Sequence, residues 1–213
     1  MKEAYVRQLE LGPMQNFVYV LGDPDSNEAA VIDPGWEVPR ILDAATQDGY
    51  RITSVFLTHH HFDHVNGVEE LLRHVPQARV YAHADDVPYL SVPPAQLSPV
   101  EDGEVVRIGT LPVTVLHTPG HTPGSQSLLA VGRVFTGDTL FIGSCGRVDL
   151  PGGDARALYR SLSETLRPLD DATIVMPGHN YGETPSAPLG DEKRRNPFLA
   201  APSVQAFLRL VGG

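Results

Sequence analysis

The chain has 213 residues, enough for one hydrophobic core, and its 41% apolar and 20% charged content is that of a folded globular protein rather than a disordered one. A formal charge of −10 argues against a nucleic-acid partner held through phosphates and against adhesion to an anionic membrane. The one cysteine, Cys145, rules out an internal disulfide. The N-terminus shows no signal-peptide pattern and no apolar run approaches 18 residues, so a cytoplasmic setting is expected.

In chain order, Ala4–Leu11 partly alternates apolar and polar residues, as a half-buried strand does, and Asn16–Leu21 is aromatic and β-branched. Gly22-Asp23-Pro24-Asp25 carries turn chemistry, and Ala29–Ile32 is a third strand stopped by Asp33-Pro34-Gly35. Val38, Ile41, Leu42 and Ala45 sit at helical spacing, which predicts a helix over 38–48. A short apolar strand follows at 52–57, then a helix over 65–74 with Val68, Leu71, Leu72 and Val75 on one face. Arg79–Tyr81 reads as a strand. Residues 88–99 hold four prolines and read as a surface loop near a site mouth. Four strands follow, at 105–108, 113–116, 126–130 and 133–136. Then come a helix over 154–166, a strand at 173–176 and a C-terminal helix over 204–211. Strands then helix recur in both halves without a sequence repeat, which suggests two sheets packed face to face with helices outside. A single domain over 1–213 is expected, with a short extension from about 183.

The chemistry concentrates in Thr58-His59-His60-His61-Phe62-Asp63-His64, directly after an apolar strand. Unpaired imidazoles and a buried carboxylate carry a large desolvation cost, which a divalent cation removes. Neutral imidazole nitrogen and carboxylate oxygen are ligands that zinc, iron and manganese accept. Three more candidates sit at strand ends beside glycines: His121 in Pro119-Gly120-His121, Asp138 in Thr136-Gly137-Asp138, and His179 in Pro177-Gly178-His179. His60 alternates away from its neighbours, and His74, His83 and His117 have no partner motif, so all four read as surface or structural residues. Cys145 has no spacing relation to a His–Asp pair of nucleophilic type.

This pattern resembles the metallo-β-lactamase superfamily over nearly the whole chain. The resemblance implies a four-layer αββα sandwich, an α/β fold of two mixed sheets with helices outside and the site at one edge. It implies that His59, His61 and His121 hold one metal ion, that Asp63, His64 and His179 hold a second, and that Asp138 bridges them. It also places Asp33 beside the site, supporting a ligand or its loop. Two divalent ions about 3.5–4 Å apart share a hydroxide and lower its pKa to near neutrality, and Asp63 is placed to orient it. Zinc is the first expectation, with iron or manganese as alternatives.

Gly137–Phe141 followed by Ser144-Cys145-Gly146-Arg147 resembles the glyoxalase II branch, in which the positions of Arg147 and Tyr181 contact the thiol cofactor. Thioester hydrolysis of an S-acyl adduct of a small thiol is the leading expectation. Full-length glyoxalase II carries a longer helical C-terminal part than this chain, and Lys193, Arg194 and Arg195 are the basic residues that could stand in for it. The runner-up is a persulfide dioxygenase, which Cys-Gly-Arg followed by Asp149 also resembles, with a single iron on His59, His121 and Asp138. Lactone or ester hydrolysis is a further alternative. A non-catalytic binding module fits less well, because a closed structural site needs only four ligands. The expected partner is a small thiol-derived substrate, with no nucleic acid or membrane, for a monomer or homodimer.

Overall fold

A computed structural model describes residues 4–212; the ends of the expected 1–213 span, residues 1–3 and 213, lie outside it. The first sheet has the strand order β1(Tyr5–Leu11), β2(Asn16–Asp23), β3(Glu28–Ile32), β4(Arg51–Phe56), β5(Arg79–His83), β6(Leu97–Val100). Its first two pairings are antiparallel and its last three parallel. The second sheet uses β7(Val105–Ile108), β8(Leu111–His117), β9(Gln126–Ala130), β10(Arg133–Gly137), β13(Ile174–Pro177) and β14(Ala187–Pro188), in the order β14-β13-β10-β9-β8-β7. A small hairpin, β11(Leu140–Phe141) with β12(Ser144–Cys145), lies between the halves of this second sheet in sequence.

Side-chain alternation explains the layering. β2 is buried on both faces, so Val18 and Val20 point one way while Phe17, Tyr19 and Leu21 point the other. The first set packs under helix α1(Val38–Gln47), with Ile41 and Ala45, and under α3(Val68–His74), with Leu71. The second set meets Val113, Val115, Leu128 and Phe135 of the opposing sheet. On that sheet's outer face, Val134 and Val175 pack with Leu158 of α4(Ala155–Arg160), Leu189 of α5(Leu189–Arg195) and Phe207 of α6(Val204–Val211). Three apolar layers between four layers of secondary structure give the αββα sandwich expected from the sequence.

Four local differences have physical causes. The helix expected over 65–74 is broken into α2(Phe62–Val65) and α3, because the chain passes Pro34 so closely at Gly67 that a Cβ there would lie 2.3 Å from the Pro34 carbonyl oxygen. Strand β2 runs on through Gly22 and Asp23, which pair with Ala29 and Glu28, so the turn starts at Pro24. The 154–166 helix widens into π-type turns over Ser161–Leu166. The Pro-rich stretch 88–99 is not all loop. It contains a 3-10 turn at Val87–Tyr89, and its end forms β6, an edge strand, where proline is tolerated. None of residues 88–99 lines the metal pocket described below. Among the described residues no helix is long and apolar enough to cross a membrane.

Candidate metal centre

The candidate ligands all follow strand carboxyl ends at one edge of the sandwich. Asp33 follows β3, and His59, His61, Asp63 and His64 follow β4. His121 follows β8, Asp138 follows β10 and His179 follows β13. Parallel pairing of β3 with β4 and of β10 with β13 puts these ends on the same side, where open α/β sheets place their ligands. Backbone proximity completes the convergence: a Cβ at Gly178 would meet Asp138 Oδ1 at 2.5 Å, so glycine is required for β13 to deliver His179.

The seven residues form two groups joined by one carboxylate. His59, His61 and His121 have ligand atoms mutually within 4.8 Å, and so do Asp63, His64 and His179. His61 Nδ1 lies 2.8 Å from His121 Nε2, and His64 Nε2 lies 3.2 Å from His179 Nε2. Asp138 reaches both groups, with Oδ2 at 3.5 Å from His121 Nε2 and 3.4 Å from His179 Nε2, and Oδ1 at 3.3 Å from His64 Nε2. Bonds of 2.0–2.1 Å in a tetrahedron give ligand–ligand edges of about 3.3 Å, and most of these separations match that. Two buried ligand atoms, His59 Nε2 and Asp138 Oδ1, have no hydrogen-bond partner, which is costly without a cation between them. The residues present therefore fit a pair of divalent ions.

A second ring of contacts fixes the imidazole rings. Asp33 accepts from the Thr58 amide at 2.7 Å and from the Thr58 hydroxyl at 2.5 Å, and its Oδ2 lies 2.9 Å from His64 Nδ1. His121 Nδ1 contacts the Arg147 carbonyl at 2.8 Å, and His179 Nδ1 the Met14 carbonyl at 2.9 Å. Each contact turns the ring's Nε2 toward the centre. Asn16 donates to Asp63 Oδ2 at 2.9 Å, and Trp36 Nε1 donates to Asn16 Oδ1 at 2.9 Å. Asn16 and Trp36 carry no motif in the sequence; only the fold brings them to Asp63.

Protonation follows the same map. Burial pushes His59 well below the usual imidazole range and takes His61 down to about 4, with neighbouring histidines adding to the effect. Burial also opposes the charged form of His64, but the Asp138 and Asp33 carboxylates outweigh it and hold its pKa well up. For His179 burial is again the largest influence, and the Asp138 and Asp63 carboxylates overcome it, raising the pKa to about 9. The carboxylates thus draw positive charge into the centre, which divalent cations supply.

The centre opens into a pocket of about 470 Å³ whose walls include Met14, Phe62, Phe141, Leu150, Pro151, Arg147 and Tyr181. Tyr181 stacks on His179 at 4.6 Å. The Arg147 guanidinium is engaged by Asp149 in a two-point pair at 2.9 and 2.8 Å, rather than standing free. Beyond Tyr181 a second cleft of about 680 Å³ runs along Ile142, Gly182 and Arg195. Lys193 and Arg194 are paired with Asp171 and Asp191. His60 turns away, with Nδ1 at 2.9 Å from Asp86 and its ring stacked on Tyr89. His83 and His117, which have no partner motif in the sequence, meet across the sheets as a parallel stack at 3.7 Å, with Asp85 near both.

Cys145 does not line the metal pocket, and burial pushes its thiol up to about 12. Iodoacetamide at pH 8 is therefore expected to label the folded protein at least about tenfold more slowly than the denatured protein. Mass spectrometry of the alkylated peptide over time checks this. Rapid labelling of the native chain would restore Cys145 as a candidate nucleophile.

Fold and site together define an α/β enzyme built around a histidine–aspartate metal centre at the mouth of a sandwich. The superfamily model "Metallo-beta-lactamase superfamily" matches residues 11–179, and the chain belongs to that superfamily. Among solved structures it is similar to ETHE1 from Myxococcus xanthus, at 36% identity and a TM-score of 0.89, over 98% of this chain and 90% of that one. It is also similar to TTHA1623 in a di-iron-bound form, at 37% identity and a TM-score of 0.78, over 91% of this chain and 100% of that one. A hydroxyacylglutathione hydrolase of Synechococcus sp. is 34% identical over 238 residues, spanning 94% of this chain and 92% of that protein.

Proposed function

We propose that this enzyme is a metal-dependent thioesterase that hydrolyses an S-acyl adduct of a small thiol at a dinuclear centre. The observation that carries the reading is the pair of complete ligand groups linked by Asp138. Zinc is the first candidate, with iron supported by the likeness to the di-iron form of TTHA1623. His59, His61 and His121 would hold one ion, Asp63, His64 and His179 the other, with Asp138 between. Bound there, the ions would supply an acidified water and a Lewis acid for the thioester carbonyl.

The chain's own residues do the rest. Asp63, held by Asn16, offers a carboxylate oxygen that would accept a hydrogen bond from the attacking hydroxide and so orient it. Tyr181, on the pocket wall, is placed to donate its hydroxyl to a polar group of the thiol arm, and the adjoining cleft gives that arm space. The reaction adds water across the C–S bond: oxygen joins the carbonyl carbon, sulfur leaves, and a carboxylic acid and a thiol result. The likeness to a hydroxyacylglutathione hydrolase supports this substrate class. The reading includes a cytoplasmic setting, a small-molecule partner, and a monomer or homodimer.

The second reading, a persulfide dioxygenase with one iron on His59, His121 and Asp138, is favoured by the likeness to ETHE1. Ester or lactone hydrolysis remains the third. Protein reconstituted separately with zinc, iron and manganese should bind two ions per chain and release free thiol from S-lactoyl and simple acyl thioesters. Oxygen uptake with a thiol persulfide at one iron per chain, without thiol release, would transfer the assignment to the dioxygenase.

A further inference from the structure

The described residues include seven exposed large apolar side chains, and three of them, Met14, Phe62 and Tyr181, line the one pocket that opens onto the candidate ligands. Phe62 is 62% exposed although it is flanked in sequence by His61 and Asp63. Exposed apolar groups gathered around a concave site mark what the site binds, whereas scattered ones need no explanation. Leu150 and Pro151 add to the same wall.

Phe62 is also held in place. Its ring meets Trp36 edge-on at 6.1 Å, and the Trp36 indole is tied through Asn16 to Asp63. One hydrogen-bonded chain therefore positions both the aromatic wall and a carboxylate of the centre. Arg147, the one arginine or lysine that lines this pocket, is paired with Asp149. A hydrocarbon chain would find apolar walls there in Met14, Phe62, Leu150 and Pro151.

We infer that Phe62, buttressed by Trp36, is the specificity-determining residue for the acyl half of the substrate, and that this half is an apolar chain rather than a small hydroxyacyl group. The inference rests on the thioesterase reading for its substrate class, but the apolar wall can be tested without turnover.

Two measurements on the metal-reconstituted enzyme test it. The first is kcat/KM for acetyl, butyryl, hexanoyl and lactoyl thioesters of one thiol. A fully buried methylene is equivalent to about a fourfold change, so a rise of about two- to fourfold per added methylene is expected, with lactoyl below butyryl. Phe62→Ala should flatten that slope and Phe62→Leu restore most of it. The second is binding of n-alkyl thiols of two to eight carbons, followed by calorimetry and by the emission of Trp36, the only tryptophan. Affinity should climb with length and the emission should shift, both less in Phe62→Ala. Metal content is measured for each variant.

If no thioester turns over but alkyl-thiol affinity still rises with length through Phe62, the thioesterase reading fails and the apolar wall stands. If thioesters turn over with lactoyl preferred, or the slope is unchanged in Phe62→Ala, the inference is overturned and the thioesterase reading survives. A dimer by sedimentation that Phe62→Ala converts to monomer would also overturn it, because Phe62 would then be covered by a second copy of the chain.

Discussion

An Asp138→Asn variant is expected to retain at most one metal ion per chain and to lose more than about a hundredfold in kcat/KM. Outer partners of metal ligands alone are worth about 10- to 100-fold, and Asp138 is placed as a ligand to both ions. The substitution keeps shape but removes the charge that faces His64, His121 and His179 within 3.3 to 3.5 Å. The neutral amide oxygen is a much weaker ligand than the carboxylate and does not offset the charge of two dications. Metal analysis alongside thioester kinetics reads the two effects together. Two ions retained at full activity would show that Asp138 does not join the groups.

Asp33→Asn has the second largest expected effect, and it acts without touching an ion. Asp33 has a left-handed backbone, φ 53°, which asparagine also tolerates, so the variant separates charge from backbone strain. The Thr58 amide keeps an acceptor. The carboxylate that faces His64 Nδ1 and the Thr58 hydroxyl is replaced by an amide, and the ring loses the partner that aims it. Metal affinity should fall about 10- to 100-fold, read by competition with a chromophoric chelator. Asp33→Ala should bind no better and also unfold more readily, by about 3 kcal/mol, because it leaves buried donors unpaired and adds backbone strain. Unchanged affinity in both variants would reduce Asp33 to a turn residue.

The candidate ligands stand out in the sequence because they share one habit: each lies after an apolar strand, three of the seven directly after a glycine, and ligand atom types at strand ends have few other uses. The layers were legible for a related reason, since strands buried on both faces and helices with one apolar stripe leave few ways to stack. What escaped depends on contacts distant in sequence. Asn16 and Trp36 are ordinary residues until β2 and the Asp33–Val38 turn bring them to Asp63. His83 and His117 find each other only because β5 and β8 lie in different sheets whose ends approach. The edge strand β6 hid among prolines, and the break at Gly67 is set by Pro34, 33 positions earlier. Arg147, expected to contact the substrate, lines the pocket, but its pairing with Asp149 two positions on was not legible, because adjacency in sequence does not say where two side chains turn.

Four candidate ligands hang from the first sheet and three from the second, so the spacing of the sheets also gauges how tightly each ligand group can close. That spacing is set by Tyr19, Phe56, Phe135 and their neighbours, and Tyr19 bolts the sheets together directly by donating its hydroxyl to the Pro177 carbonyl at 2.6 Å, two residues before His179. Slimming or thickening this filling would shift the first-sheet members of each ligand group relative to its second-sheet member without altering a single donor atom. The interior of the sandwich is thus a tuning element for reactivity as well as a source of stability.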